Sequence, residues 1–212
     1  MVIAIDGPAG AGKSTVARAL AARLDLPFLD SGAMYRAVAL AALRAGADPD
    51  DAERLRVLAD GISLTLDGDR VMLDGEDVSA TIREPEVSAA ASRVSVHPGV
   101  RAAMVRRQRA MIEAGDYVAE GRDIGTVVSP DAPLKVFLTA SPGERARRRA
   151  AETGEHAHDV LDALSDRDGR DTSREHGALR AADDAVVVDT TGIDVEGVVD
   201  RIAAMARERD LA

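Results

Sequence analysis

The 212 residues carry a formal net charge of −10 and an apolar fraction of 46%, enough for one globular core, or one core with insertions. With no basic tail or aromatic-basic stripe, the composition argues against a dedicated nucleic-acid or membrane-surface binder. The lack of cysteine removes disulfide and thiolate chemistry, and the absence of a basic leader after Met1 or of any long apolar run makes a cytoplasmic location the expectation.

In chain order, Val2-Ile3-Ala4-Ile5 predicts a short buried strand. After Ser14, Val16, Leu20 and Leu24 fall four apart on one face of a helix. Leu26 to Leu29 predicts a second strand, and Asp30 or Ser31 is placed to cap a helix that runs to Gly46. A short helix is expected over Asp48 to Asp60, opened by Asp48-Pro49. Then the period changes from helical to alternating. Ile62, Leu64 and Leu66, followed by Val71 and Leu73 after Asp67-Gly68-Asp69, predict a β-hairpin belonging to an insertion and not to the main sheet. Glu86 to Ser95 and Pro98 to Ala114 predict two helices, with Pro98 in the first turn of the second. Strands are expected at Asp116–Ala119, Leu134–Leu138 and Ala185–Asp189. One long arginine-rich helical stretch is expected from Pro142 to about Arg180, and a last helix from Val195 to Arg209. Five apolar strands alternating with helices predict a doubly wound α/β fold, with substrate sites beyond the strand carboxyl ends.

Between the first strand and the first helix lies Gly7-Pro8-Ala9-Gly10-Ala11-Gly12-Lys13-Ser14, then Thr15. It matches the phosphate-loop pattern G-x-x-x-x-G-K-[ST] at every fixed position. Glycines let backbone N–H groups turn inward, and the following helix N-terminus adds partial positive charge. Lys13 is expected to reach the β- and γ-phosphates of a nucleotide, and the Ser14 hydroxyl to help hold Mg2+. Lys13 and Lys135 are the only lysines among 27 basic residues, so a chain otherwise built on arginine keeps a compact ammonium inside this loop.

Arg145, Arg148 and Arg149 share one helical face, and Arg167, Arg170 and Arg174 another, with Asp171 spaced to pair with Arg167. As solvated faces they would contribute ion pairs of about 0.5 kcal/mol or less each. Beside a phosphate loop, two guanidinium clusters are better read as a closing lid over anionic phosphates. Arg18 and Arg23 read as solvated face. Glu120 and Asp123 either orient waters on Mg2+ or serve as a helix cap and a partner for Arg122. The four histidines show no metal-ligand spacing.

The motifs Ile5–Ser14, Asp30-Ser31-Gly32-Ala33-Met34-Tyr35-Arg36, Gly121-Arg122-Asp123-Ile124-Gly125-Thr126 and Arg167-Asp168-Gly169-Arg170-Asp171 together resemble the bacterial cytidylate kinases, small P-loop nucleoside monophosphate kinases. The resemblance covers essentially the whole chain. Many relatives carry glycine after the lysine; here Ser14 supplies the hydroxyl of the general motif. The resemblance implies one kinase domain over 1–212. Its core would be a five-stranded parallel sheet formed by 1–30, 116–145 and 180–212. An enlarged monophosphate-binding region containing the hairpin would occupy about 31–115, and a lid about 146–179. It further implies transfer of the ATP γ-phosphate to CMP or dCMP with Mg2+. Gly7, Pro8, Ala9, Gly10, Ala11, Gly12, Lys13, Ser14, Thr15, Arg145 and Arg148 would bind ATP, with Ser14 at the metal. Ser92, Arg101 and Asp123 would read the cytosine, Arg167 and Asp171 would hold the sugar, and Ser31, Arg36, Arg122 and Arg174 the acceptor phosphate. Lys13, Arg122, Arg148 and Arg174 would act on the transferring group. The expected state is a monomer, because no exposed apolar stripe calls for a partner. A kinase with another small acceptor is the nearest rival. A guanine-nucleotide switch is disfavoured because the chain has no asparagine for an Asn-Lys-x-Asp element. A catalytically dead nucleotide binder is disfavoured because Lys13, Ser14 and the arginines are all present.

Overall fold

The computed structural model describes residues 1–154 and 156–211. Two compact units share the chain: Met1–Leu29 with Ile112–Ala212, and Asp30–Met111.

The first unit is built on a five-stranded parallel sheet in the order β2-β6-β1-β7-β8. Its strands are β1 (Val2–Asp6), β2 (Phe28–Asp30), β6 (Tyr117–Gly121), β7 (Leu134–Thr139) and β8 (Val186–Asp189). β1 is central because all five of its residues are buried, which is what a continuous apolar run requires in a sheet covered on both faces. The chain crosses to one side of β1 for β2 and β6, then to the other for β7 and β8, so the topological switch point lies at the carboxyl end of β1. Ile3, Ile5, Val118, Val136, Leu138 and Val188 form the core with Leu20 of α1 (Lys13–Leu24) and Ile202 of α8 (Val195–Arg207).

Residues 142–180 depart from the sequence expectation. The long helical stretch expected to about Arg180 is two helices, α6 (Pro142–Thr153) and α7 (Ala157–Thr172), and it ends earlier. Gly154, at φ 75°, supplies the left-handed residue that ends α6. Arg174 therefore lies beyond α7, not on a shared helical face with Arg167 and Arg170. Glu155, within the expected lid, lies outside the described residues. After β6 the chain makes a π-helical turn, Ile124–Val128, that periodicity did not indicate.

The second unit contains α2 (Ser31–Arg44), α3 (Ala52–Gly61), α4 (Pro85–Val94) and α5 (Pro98–Glu113). Asp30 caps α2 by accepting the Ala33 N–H at 2.7 Å. α3 opens later than expected, because Asp51 and not Asp48 is its cap, accepting from the Arg54 N–H at 3.0 Å. The predicted hairpin is β3 (Leu64–Asp67) with β4 (Arg70–Leu73), outside the main sheet, and a third strand, β5 (Glu76–Asp77), extends it. The signal for β5 was a second Asp–Gly pair, Asp74-Gly75, where both residues take positive φ. Met34, Val38, Leu55, Ile82, Val94 and Met104 fill this unit's core. No helix among the described residues is long and apolar enough to cross a membrane.

Candidate active site

The phosphate loop leaves the sheet at the switch point and enters α1. Its first glycine is obligatory for two reasons: Gly7 has φ 150°, and a Cβ there would run into the Leu138 backbone carbonyl. Gly10, at φ 75°, passes against the Arg145 backbone. Lys13 is only 6% exposed, and its Nζ donates to the Pro8 carbonyl at 2.7 Å, so the ammonium is folded back across the loop. Burial, followed by the neighbouring Arg122, brings its pKa down from 10.5 to about 7, with Arg167 adding to the drop and Glu120 and Asp171 opposing it. Ser14 Oγ donates to Glu120 Oε1 at 2.8 Å, which sets two oxygen donors side by side at the start of α1. Thr15 is exposed on the first turn.

The reading of Glu120 as a partner for Arg122 is an electrostatic one here, while its hydrogen-bonded neighbour is Ser14. Asp123 is buried, and its side chain does not cap the π-helical turn that follows. Its backbone carbonyl does so instead, accepting from the Val127 and Val128 N–H groups at 2.8 and 3.2 Å.

Arg122 and Arg174, both half-buried, come together on the buried Asp171. Asp171, 1% exposed, accepts from Arg122 Nε at 2.9 Å on one oxygen and from Arg174 on the other. Burial alone would raise the Asp171 pKa, but Arg122, Arg174 and Arg167 outweigh it and hold the carboxyl below its ordinary value. Arg167, spaced to pair with Asp171, acts on it through its charge. Arg122 came from a separate motif 49 residues away, so no local spacing pointed to its bond with Asp171.

The α6 arginines reach the loop at its carbonyls. Arg145 donates to the Ala9 carbonyl at 3.1 Å and pairs with Asp168, whose other oxygen is 3.4 Å from the Ala9 N–H. Arg148 is held by Glu144 at 2.8 Å and by Thr190, at 2.9 Å to the hydroxyl and 2.7 Å to the carbonyl. Ala9 also packs with Ala146 of α6 and Val160 and Leu164 of α7. Asp168 lay inside a quoted motif without a role of its own, and Thr190 was missed, since it does not stand out by type or spacing. Arg18 lies over the Phe28 ring at 5.0 Å, and Arg23 pairs with Asp200.

In the second unit, Arg36 pairs with the α2 cap Asp30 at 3.1 Å. Ser31, Ser92 and Arg101 are buried. Arg101 donates to the Ser95 carbonyl at 3.4 Å and lies over the Tyr35 ring, 5.6 Å from its centre. Tyr35 stands in the quoted Asp30–Arg36 motif, but its contact with Arg101 has no local signal, because the two are 66 residues apart. His97 bonds the Pro49 carbonyl at 2.7 Å, and among the described residues no group of three or more metal-ligating side chains occurs.

Comparison with known proteins gives this arrangement a family. The cytidylate kinase profile matches residues 3–208. A cytidylate kinase of Pelotomaculum thermopropionicum is 51% identical over 95% of this chain and 94% of its own length. One from Stutzerimonas stutzeri is 47% identical over 100% of this chain and 97% of its own. Among solved structures, an uncharacterized protein from Eubacterium ventriosum superposes with a TM-score of 0.58 at 14% identity, covering 98% of each chain, a likeness of fold alone. A phosphate loop at the switch point, arginines gathered on buried carboxylates, and a profile match along nearly the full length lead to one conclusion: the chain belongs to the cytidylate kinase family.

Proposed function

We propose that this kinase transfers the γ-phosphate of ATP to CMP or dCMP, giving CDP or dCDP and ADP. The observation that carries the reading is Lys13, buried at the end of a loop that matches the phosphate-binding pattern, where the loop enters α1. Full-length similarity to cytidylate kinases supports the acceptor. Phosphoryl transfer asks little covalent chemistry of a protein; it asks for in-line positioning, charge neutralisation and exclusion of water.

Lys13 and the loop amides hold the donor phosphates, with Arg145 and Arg148 above them on α6. Residues of about 146–179 act as a lid, and 31–115 as the monophosphate-binding region. Ser31, Arg36, Arg122 and Arg174 hold the acceptor phosphate, Arg167 and Asp171 the sugar, and Ser92, Arg101 and Asp123 the base. A carboxylate that accepts from the exocyclic amine of cytosine disfavours uracil, which presents a carbonyl there. The enzyme works as a cytoplasmic monomer on free nucleotides, with no nucleic acid or membrane partner.

Mg2+ takes phosphate oxygens, waters and one or two protein oxygens. The Ser14 hydroxyl beside the Glu120 carboxylate is a donor set of that kind, with Ser14 as the ligand and Glu120 orienting it or a bound water. When bound, the metal neutralises charge on the β- and γ-phosphate oxygens. Ser14→Ala is expected to raise the Mg2+ concentration for half-maximal rate by about tenfold or more, with little change in KM for CMP. An unchanged Mg2+ titration would remove Ser14 from the metal site.

The function is tested by ADP release with ATP, Mg2+ and each nucleoside monophosphate in turn. Fast turnover with CMP and dCMP, and little with AMP or GMP, is expected. Turnover confined to another acceptor would keep the kinase and discard the base-reading assignment.

A further inference from the structure

Asp6 is the last residue of β1, flanked by β6 and β7 and 5% exposed. Both of its carboxylate oxygens are used. Oδ1 accepts the Ile124 N–H at 2.9 Å, and Oδ2 accepts the Gly125 N–H at 2.8 Å. These amides open the π-helical turn, and the two residues immediately before it are Arg122 and Asp123. A second element supports the same turn from β7. The Lys135 stem lies close enough to Gly125 that a Cβ there would sit 3.1 Å from Lys135 Cδ, while the Lys135 ammonium is fixed by Asp184 at 2.8 and 2.9 Å.

The next residue after Asp6 is Gly7, the first of the phosphate loop. One side chain therefore fastens two ligand-bearing segments, the donor loop through the chain itself and the Arg122–Asp123 segment through two hydrogen bonds. The bracket is energetically costly. Burial pushes the Asp6 carboxyl up from 3.8 to about 6, against the two N–H groups; the charge of Asp123 adds to the rise and that of Lys13 opposes it. A strand end that served only packing would be apolar, so a buried carboxylate with both oxygens engaged points to a positional requirement.

We propose that Asp6 is a positioning residue for acceptor recognition, holding the Arg122–Asp123 segment at a fixed place relative to the phosphate loop. This rests on the assignment of Arg122 and Asp123 to the acceptor. Because β1 is locked in the sheet, the segment that moves when the bracket fails is the acceptor side, not the donor loop.

Asp6→Asn keeps the shape but sets an NH2 group against one of the two N–H donors. The expected result is a rise of about tenfold in KM for CMP and a fall of about tenfold in the CMP-over-UMP ratio of kcat/KM, with the Kd for ATP and the melting temperature little changed. A merely structural role would move the melting temperature and leave the ratio alone. A wild type with no preference for CMP over UMP overturns the acceptor assignment and this proposal with it. A wild type with that preference, and a variant that retains it, overturns this proposal alone. Should the variant not fold, amide exchange on the wild type decides. Protection factors of Ile124 and Gly125 that drop as pH falls through about 6, while those of β1 hold, support the bracket. Protection independent of pH refutes it.

Discussion

Lys13→Ala is expected to lower kcat by about three orders of magnitude and, in the absence of nucleotide, to raise the melting temperature. The first effect follows from the proposed role of Lys13, since the variant lacks the cation assigned to the transferring phosphate. The second follows from its burial. With a pKa brought down to about 7, the native state holds the Lys13 proton less firmly than the unfolded chain, whose lysine titrates near 10.5. Between those values the unfolded state binds more protons, so wild-type stability from this group rises with pH. The deficit is complete below about pH 7 and gone above about 10.5. The advantage of the alanine variant is therefore largest at neutral pH and below, and shrinks toward pH 10. A gain of 1 kcal/mol corresponds to roughly 2–4 °C in a chain of this size. The Pro8 carbonyl, which loses its donor, offsets part of the gain. Saturating ATP reverses the order, because phosphate oxygens favour the charged lysine and only the wild type benefits. Melting curves across pH, with and without ATP, and ADP release under the same conditions check the whole pattern. A near-normal kcat would remove Lys13 from the chemistry, and a lower melting temperature at pH 7 would refute the burial argument.

The second large effect is expected for Asp171→Ala. Removing the carboxylate takes away the anion that Arg122 and Arg174 share, at a position where Asp171 itself is buried. Breaking a buried pair in this way costs about 3–5 kcal/mol, which is on the order of 10 °C here. The pH dependence has the opposite sign to that of Lys13. The Asp171 pKa is depressed in the folded state, so its contribution is present above the ordinary carboxylate range and lost as pH falls through the depressed value. The variant should thus lose part of the acid limb of its stability curve. In kinetics, the proposed place of Arg122 and Arg174 on the acceptor side predicts a rise of about tenfold or more in KM for CMP while KM for ATP stays within about threefold. Equal changes in both KM values would refute that assignment.

How far local sequence reaches is clear from particular residues. The phosphate loop was legible because its chemistry lies within eight consecutive residues, and the main strands because each is a short continuous apolar run bounded by turn residues. The cap of α2 was narrowed to Asp30 or Ser31 for the same reason, and the structure decides for Asp30, three residues from the amide it serves. The break at Gly154 was not read, because the helical pattern resumes immediately beyond it and a lone glycine is compatible with a continuing helix. β5 is two acidic residues with no alternation, and exists only because β4 offers it a pairing edge.

The candidate site divides along the same line. The sequence by itself determined the fold class, from its apolar runs, and the kinase family, from its contiguous motifs. Only the tertiary structure decided that Ser14 meets Glu120, that Asp171 is shared by Arg122 and Arg174, and that Asp6 brackets Ile124 and Gly125. The bonds of Ser14 to Glu120 and of Asp6 to Ile124 span 106 and 118 residues. An acidic side chain has no periodicity to announce its partner; its partner is set by which strand ends the sheet topology brings together, and by the cost of leaving a buried charge without one.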